Sequence, residues 1–492
     1  MTDQQRPGVS PGRPSDEPEP AAHGDSVAQF FAQQRAEVRQ EPAGEVTWQR
    51  IVRSSRSTSR RRSRVLALTS AAVAVLALFA IWSWQREPMG GSGVRQGQAI
   101  AGNTDTVPSG RSSGEGRTVS PAQQPFKVPE TFTTWSVSNA GHGTLYALGS
   151  QGCRGTVCPV LLRSGTNGTS WTAVHNFDST DVSSATGTDV QQIQPDRAVT
   201  QVRFASPTTG YVFGGDLWVT RDSGASFSKL PHPGSTVLDV EVFDQQVVAL
   251  SSDNCAQGVC NGPMYVSVFA PSATSVEQPA AVYSPDTPVR GGEVTVQNAQ
   301  AFVQLSVGDS ASAIPPMRLT GGRLQPMAPP AACNGRQLQS VTPATNVTGP
   351  VLLFAVCDPQ ESGSATSYTL VRSRDGGQHW ESVSVGSLSL PRLGQVWLAA
   401  ADDKHLVASA GGPRDTSGVP ANSGAGSLVV SRDGGNGWAP ADNTSKQPVP
   451  SSGFDWTASA GAGYFYAVPR TTSSFWATSD YGTRWRLVNP PA

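Results

Sequence analysis

From residue 126 onward the chain repeats one signal: short apolar runs, broken at close intervals by Gly, Ser, Pro and Asp. Leu145-Tyr146-Ala147-Leu148, Gly210-Tyr211-Val212-Phe213-Gly214, Ala301-Phe302-Val303-Gln304-Leu305 and His405-Leu406-Val407-Ala408-Ser409 are examples. Runs this short, bounded by turn residues and rich in Val, Tyr and Phe, predict strands. A different pattern precedes them. Residues 65–84 carry no formal charge and include Ala71-Ala72-Val73-Ala74-Val75-Leu76-Ala77-Leu78-Phe79-Ala80-Ile81. At about 1.5 Å per residue such a segment reaches roughly 30 Å, one hydrocarbon core. The pattern therefore predicts a single membrane-spanning helix followed by an all-β body.

Within that body one stretch recurs. Ser373-Arg374-Asp375-Gly376-Gly377-Gln378-His379-Trp380 places a hydroxyl first, Asp two later, Gly two after that and an aromatic three further on. The skeleton returns at Thr220, Asp222, Gly224 and Phe227, at Ser431, Asp433, Gly435 and Trp438, and at Thr478, Asp480, Gly482 and Trp485. A worn copy runs from Ser164 to Trp171, with Thr166 where the Asp stands elsewhere. Each copy lies between two apolar runs, which predicts strand, tight turn, strand. Asp and Ser/Thr side chains accept hydrogen bonds from nearby backbone N–H groups, and Gly supplies the positive φ that closes the bend. The aromatic opens the returning strand, where its burial contributes about 1.5–3 kcal/mol.

This skeleton resembles the Asp-box, or BNR repeat, of sialidases, sortilin-type receptors and photosystem assembly factors. The resemblance implies that each corner is the tip of the hairpin joining the two outer strands of a β-propeller blade. It implies little about function, because those families share the box and not an activity. Spacing counts the blades. Trp171 and Phe227 are 56 residues apart, Trp380 and Trp438 58, and Trp438 and Trp485 47. The 153 residues between Phe227 and Trp380 leave room for two units without a box. The 314 residues from Trp171 to Trp485 make six steps of about 52, hence seven blades in preference to six or eight.

Charge sharpens the domain plan: 1–64 a disordered tail, 65–84 the membrane helix, 85–125 a flexible linker and 126–492 the propeller. The tail is rich in Pro, Gln and Glu and cannot bury enough apolar surface to order itself, apart from a transient helix over 26–39 carrying Val27, Phe30 and Phe31. It ends in Arg53, Arg56, Arg60, Arg61, Arg62 and Arg64 without an acid. Beside an apolar segment flanked by Trp82 and Trp84, that cluster reads as a positive-inside determinant rather than a nucleic-acid site. The tail is then cytoplasmic and the propeller extracellular, on a single-pass signal anchor rather than a cleaved signal peptide. The Gly- and Ser-rich linker, treated as a coil of 36 residues from Met89 to Gln124, spans about 30–36 Å. A formal net charge of −1 gives no global reason to expect a nucleic-acid partner.

All six cysteines lie beyond residue 150. An even count behind a membrane segment argues for disulfides. Cys153 with Cys158 and Cys255 with Cys260 share one spacing between apolar runs, leaving Cys333 with Cys357. Zinc is disfavoured, since no pair of His stands at ligand spacing near a Cys.

Candidate chemistry is sparse. The sialidase resemblance implies three Arg clamping a carboxylate, a Tyr–Glu nucleophile pair and an acid/base Asp. Phe126-Lys127-Val128-Pro129 matches the family's aromatic-Arg-aliphatic-Pro motif except at its functional residue, where Lys cannot form the two-pronged clamp. No residue is therefore assigned as catalytic. The box aspartates each offer one carboxylate, too few for calcium, and no metal or cofactor is assigned. Asp402 and Asp403 beside His405 read as a polar loop. Gly8-Val9-Ser10-Pro11-Gly12 and Gly110-Arg111-Ser112-Ser113-Gly114 fit a hydrolase motif only in segments expected to be disordered. Asn167, Asn346 and Asn443 begin possible glycan acceptor sites. The expected role is binding or scaffolding of a protein or cell-surface glycan, with a sialidase-like glycoside hydrolase as the alternative.

Overall fold

The computed structural model describes residues 119–491, apart from 154–155, 178–198, 257, 308–313, 337, 346–348, 360–364, 392–394, 412–426, 443–448, 451–452 and 471. The tail, the membrane helix, most of the linker, both hydrolase-motif matches and the acceptor sites at Asn346 and Asn443 lie outside the described residues. Among the described residues no helix is long and apolar enough to cross a membrane.

Among the described residues seven antiparallel sheets follow one another along the chain, each with a core of four strands in chain order, to which Val119–Ser120 adds a fifth in one sheet and the hairpin at 255–260 two more in another. They are blades 1 to 7, spanning 133–176, 199–229, 236–283, 289–326, 338–391, 395–440 and 454–488. The first strands of neighbouring blades touch one another, which places them innermost around an axis. The fold is a seven-bladed β-propeller. Blades 3 and 4 are the two expected without a box. In blade 4 the third and fourth strands meet at the two-residue turn Gly321-Gly322.

The apolar residues form seven clusters, one at each junction between successive blades. Between blades 1 and 2, for example, Leu148, Leu161 and Val174 meet Val202, Val212 and Phe227. Between blades 6 and 7, Val407, Leu428 and Val430 meet Phe465, Trp476 and Trp485. A strand packed on both faces needs apolar side chains on both, so runs such as Leu353–Cys357 and Phe465–Pro469 are buried at every position.

All four strands of blade 7 come from the C-terminal segment, so no strand is shared across the seam to blade 1. Packing closes the ring instead. Leu145, Ala147 and Val160 of blade 1 pack with Tyr466, Val468 and Phe475 of blade 7. Trp171 meets Phe475 edge-on, with ring centroids 6.0 Å apart. Thr134 donates its N–H to the Thr472 carbonyl at 2.9 Å and its hydroxyl to Ser473 O at 2.6 Å. Arg486 donates to Asn167 O, the carbonyl of an Asn at one of the possible glycan acceptor sites.

The folded body begins earlier than Phe126. Val119–Ser120 is a strand within the stretch expected to be linker, paired with Phe227 and Ser228 at the outer edge of blade 2. An exposed strand edge offers unpaired N–H and C=O groups, and these two residues occupy it. The chain then crosses to blade 1. Gln123 exchanges hydrogen bonds with the Asn176 backbone in both directions at 2.9 Å, and Phe126 and Ala173 form a reciprocal bridge. Ser120 Oγ lies 2.6 Å from Nε2 of the fully buried His175. Val128 and Phe132 finish the strap inside the cluster joining blades 7 and 1.

Cys255 pairs with Cys260, stapling a small hairpin that extends the sheet of blade 4. Cys333 pairs with Cys357, fixing the 3-10 turn Ala331–Cys333 to blade 5. Cys158 is disulfide-bonded, and the side chain of Cys153 lies outside the described residues.

If side-chain packing carries the closure, Phe475→Ala should destabilise the full-length chain by about 3–5 kcal/mol, as for other buried aromatics. Chemical denaturation followed by Trp fluorescence measures this; a loss under about 1 kcal/mol would show that the seam carries little of the ring's stability.

Candidate functional site

The five repeated corners join the third and fourth strands of blades 1, 2, 5, 6 and 7, as their sequence implied. Their internal bonding is the same. The first hydroxyl donates to the Asp carboxylate and accepts the N–H of the Gly at the fifth position. In blade 5 both distances, from Ser373 to Asp375 Oδ1 and from Gly377 N to Ser373 Oγ, are 2.8 Å. Thr220, Ser431 and Thr478 repeat the arrangement with Asp222, Asp433 and Asp480. The carboxylate also accepts the N–H of the residue before the aromatic, at 2.9 to 3.0 Å. In the worn corner Thr166 Oγ1 takes that place, accepting from Ser170 N at 2.9 Å.

Two features of the corner escaped the sequence. The fourth position also has positive φ, between 55° and 74°, although it is Asn167, Ser223, Gly376, Gly434 and Tyr481 in turn. Its N–H donates to a carbonyl of the same blade's first hairpin: Gly143, Thr208, Val351, Lys404 and Gly463 respectively. The fifth-position Gly does more than bend the chain, because it lies against the preceding blade. A Cβ on Gly435 would stand 2.0 Å from Leu370, and one on Gly224 2.7 Å from Leu161. The aromatics follow them into the junctions: Phe227 and Trp485 are fully buried, and Trp171, Trp380 and Trp438 pack at the edges of their clusters.

These carboxylates are thereby occupied. Partial burial pushes Asp375 up, but the His379 N–H and ring, the Ser373 hydroxyl and the Gln378 N–H together hold it down at about 2. Asp222 and Asp480 are likewise lowered against burial, and Asp433 is lowered chiefly by the Gly437 N–H. The corners are structural joints.

Other candidates resolve in the same way. Asp402 Oδ1 accepts the N–H groups of Lys404 and His405 at 2.8 Å and faces His405 Nδ1 at 2.9 Å, closing the turn between the first two strands of blade 6. Lys127 lies on the strap, exposed, 3.2 Å from Glu130. It lies away from the axis and takes no part in a clamp.

The innermost strands supply what the sequence did not single out. In six of the seven blades the pairing of first and second strands slips by one residue near the start, at Trp135, Thr200, Leu238, Arg290, Gln339 and Asp455. Such bulges re-aim the side chains that follow. Beyond them, Ser136 accepts the Val202 N–H, Asp239 Oδ2 the Val294 N–H at 2.8 Å, and Ser340 the Leu398 N–H, each bond linking one blade to the next. At this level Arg203 lies 3.7 Å from both Asp239 and Glu241, with its guanidinium 4.9 Å above the Trp456 ring. Glu293 stands next to Val294. Burial pushes all three carboxyls up and Arg203 opposes it; repulsion from neighbouring carboxylates adds to the rise of Glu241 and Glu293, and Glu293 reaches about 8. Glu241 keeps 35 % of its side chain accessible, on an innermost strand facing the axis. Among the described residues the first strands carry Arg203 and Arg290 together with Asp239, Glu241, Glu293 and Asp455, of which Asp455 is paired with Arg470 at 2.8 Å. Among the described residues of these strands, three Arg around a carboxylate-sized space are not found. The crevice beside Glu293, lined by Thr295, Phe302, Gln304 and Val341, is too narrow for a ligand.

No family model matches the chain, and no curated protein matches it in sequence. Among solved structures it is similar to a GH74 enzyme of Niastella koreensis (TM-score 0.36, 13 % identity, 73 % of this chain and 66 % of that one). It is also similar to an ancestral GH74 enzyme (0.44, 12 %, 72 % and 46 %) and to the propeller domain of the Trilobed protease of Pyrococcus furiosus (0.40, 8 %, 70 % and 95 %). The chain thus spans less than two thirds of the length of the two GH74 enzymes. Likeness this distant adds nothing to the ring that the sheets themselves define.

A carboxylate whose folded-state pKa is depressed contributes stability present above its unfolded value and lost as pH falls through the folded one. Asp375→Asn should therefore be less stable than the parent at pH 7, with the difference shrinking from about pH 4 toward about pH 2. Urea denaturation of both full-length chains across that range tests it; a difference independent of pH would contradict the bonding described.

Proposed function

We propose that the protein is a single-pass, membrane-anchored propeller whose extracellular ring binds a protein or a cell-surface glycan. The observation that carries this reading is the uneven distribution of connections. Corners and first hairpins share one end of the ring and are tied to one another. The connections between second and third strands and those between blades start and end at the other end, where both described disulfides also lie. Loops of varied length on a rigid scaffold suit recognition, and that end is the proposed binding face. The anchor and its orientation rest on the apolar segment 65–84 and the arginines before it.

The full-length chain should bind selectively on a glycan or cell-surface protein array and should not turn over a fluorogenic sialoside. Replacing 412–426 by a Gly-Ser segment of equal length should abolish binding and leave the thermal midpoint unchanged. Turnover of the sialoside would establish the sialidase-like reading instead.

A further inference from the structure

The hairpin closed by Cys255 and Cys260 sits on the axis side of the ring. Val289 opens the first strand of blade 4 and is paired on both of its edges, with Val307 of the second strand and with Cys260. The second strand covers the outward edge, so Cys260 occupies the edge turned toward the axis. Among the described residues no other first strand carries a second partner strand. The hairpin itself belongs to blade 3, between that blade's second and third strands. It therefore leans from one blade to the inner edge of the next, at the loop-bearing end of the axis.

Its foot is fixed to blade 3. Asp253 donates its N–H to the Pro263 carbonyl at 3.4 Å and accepts the Tyr265 hydroxyl at 2.7 Å, and Asn254 turns the chain with a φ of 53°. Beyond the foot each arm is only two residues long, Cys255–Ala256 and Val259–Cys260. A strand pair this short is not stable on its own. Cys255 and Cys260 are direct partners in the pair, so their disulfide supplies the hold that length does not. Cys260 is fully buried with Leu238 and Val289, whereas Cys255 is half-buried between the exposed Asn254 and Ala256. Both members of the other described pair, Cys333 and Cys357, are fully buried.

We infer that the Cys255–Cys260 hairpin is a thiol-operated lid, held against the inner edge of blade 4 while its disulfide is intact and released from that edge when a dithiol reduces it. One thiolate of the dithiol attacks Sγ of Cys255, the accessible end of the bridge. The Cys255–Cys260 bond breaks, and Sγ of Cys260 leaves as a thiolate that takes up a proton. The second thiolate of the reductant then displaces Cys255 from the mixed disulfide, so the chain gains two thiols and the dithiol becomes a disulfide. Without the bridge the short arms part and Cys260 no longer covers Val289, whose edge is left to solvent. Asp253 and Tyr265 keep the foot in place, so the lid turns about Asn254. Cys333–Cys357, buried at both sulfurs, is not reached. The lid belongs to the proposed binding face, but both readouts below are of the chain alone and hold whatever that face binds.

Limited reduction of the full-length chain with dithiothreitol, followed by alkylation and peptide mapping, should modify Cys255 and Cys260 while Cys333 and Cys357 are still joined. Reduction of both bridges together, or of Cys333–Cys357 first, would overturn the lid. In the selectively reduced chain the backbone N–H groups of 289–292 should exchange with deuterium about tenfold faster than in the oxidised chain, with those of Leu353–Cys357 in blade 5 unchanged. The double variant Cys255→Ser, Cys260→Ser should show the same faster exchange with no reductant present. Exchange at 289–292 that is unaltered by reduction or in the variant would mean that the bridge does not hold the hairpin to blade 4, and the lid would be overturned equally.

Discussion

The structure depends on one constraint: each four-stranded sheet must bury both of its faces, and only a neighbouring sheet on each side can do that. Seven sheets in a ring meet the requirement for every member. The seven apolar clusters sit at the seven junctions, and the axis itself is polar. Closure follows without a shared strand, because the junction between blades 7 and 1 is built like the others and differs only in the chain break it spans. The strap from Val119 to Phe132 reinforces that region, lying along blades 2 and 1 before entering the seam.

The repeated corner serves the same constraint. Its hydroxyl and carboxylate satisfy the backbone of a tight bend, its fourth residue ties the bend to the first hairpin, and its glycine lets the tip lie on the preceding blade. Arginines continue the theme. Arg221, Arg318, Arg432 and Arg486 each donate to a carbonyl in the following blade, so a side chain on one sheet reads the backbone of the next. Blades 3 and 4 dispense with the corner, and the Cys255–Cys260 hairpin lies at this part of the ring.

Much of this was legible from the chain. Strand length, corner spacing and the gap between Phe227 and Trp380 led to seven blades, and the cysteine spacing led to the Cys255–Cys260 and Cys333–Cys357 pairs. Three things were not legible. Val119–Ser120 lacks any apolar period and becomes a strand only because blade 2 offers an open edge. The positive φ of Ser223 and Tyr481 is imposed by the corner's geometry, against their own preference. The run Val237-Leu238-Asp239-Val240-Glu241-Val242 alternates as a half-solvated strand does, yet its polar residues turn toward the axis, where Arg203 of the neighbouring blade meets them and in turn stacks on Trp456 of blade 7. Local pattern carries no information about which face of a strand a closed ring will enclose.

The most direct test of a ring closed without a shared strand is a covalent link across its seam. Thr134 N lies 2.9 Å from Thr472 O, so cysteines at these two positions stand on adjacent backbones. In the full-length chain carrying Thr134→Cys and Thr472→Cys, mild oxidation should join the two new thiols, as non-reducing peptide mapping would show, and should raise the thermal midpoint. A chain that stays folded but leaves both thiols free would mean that blades 1 and 7 are not neighbours, and the closed ring would have to be abandoned.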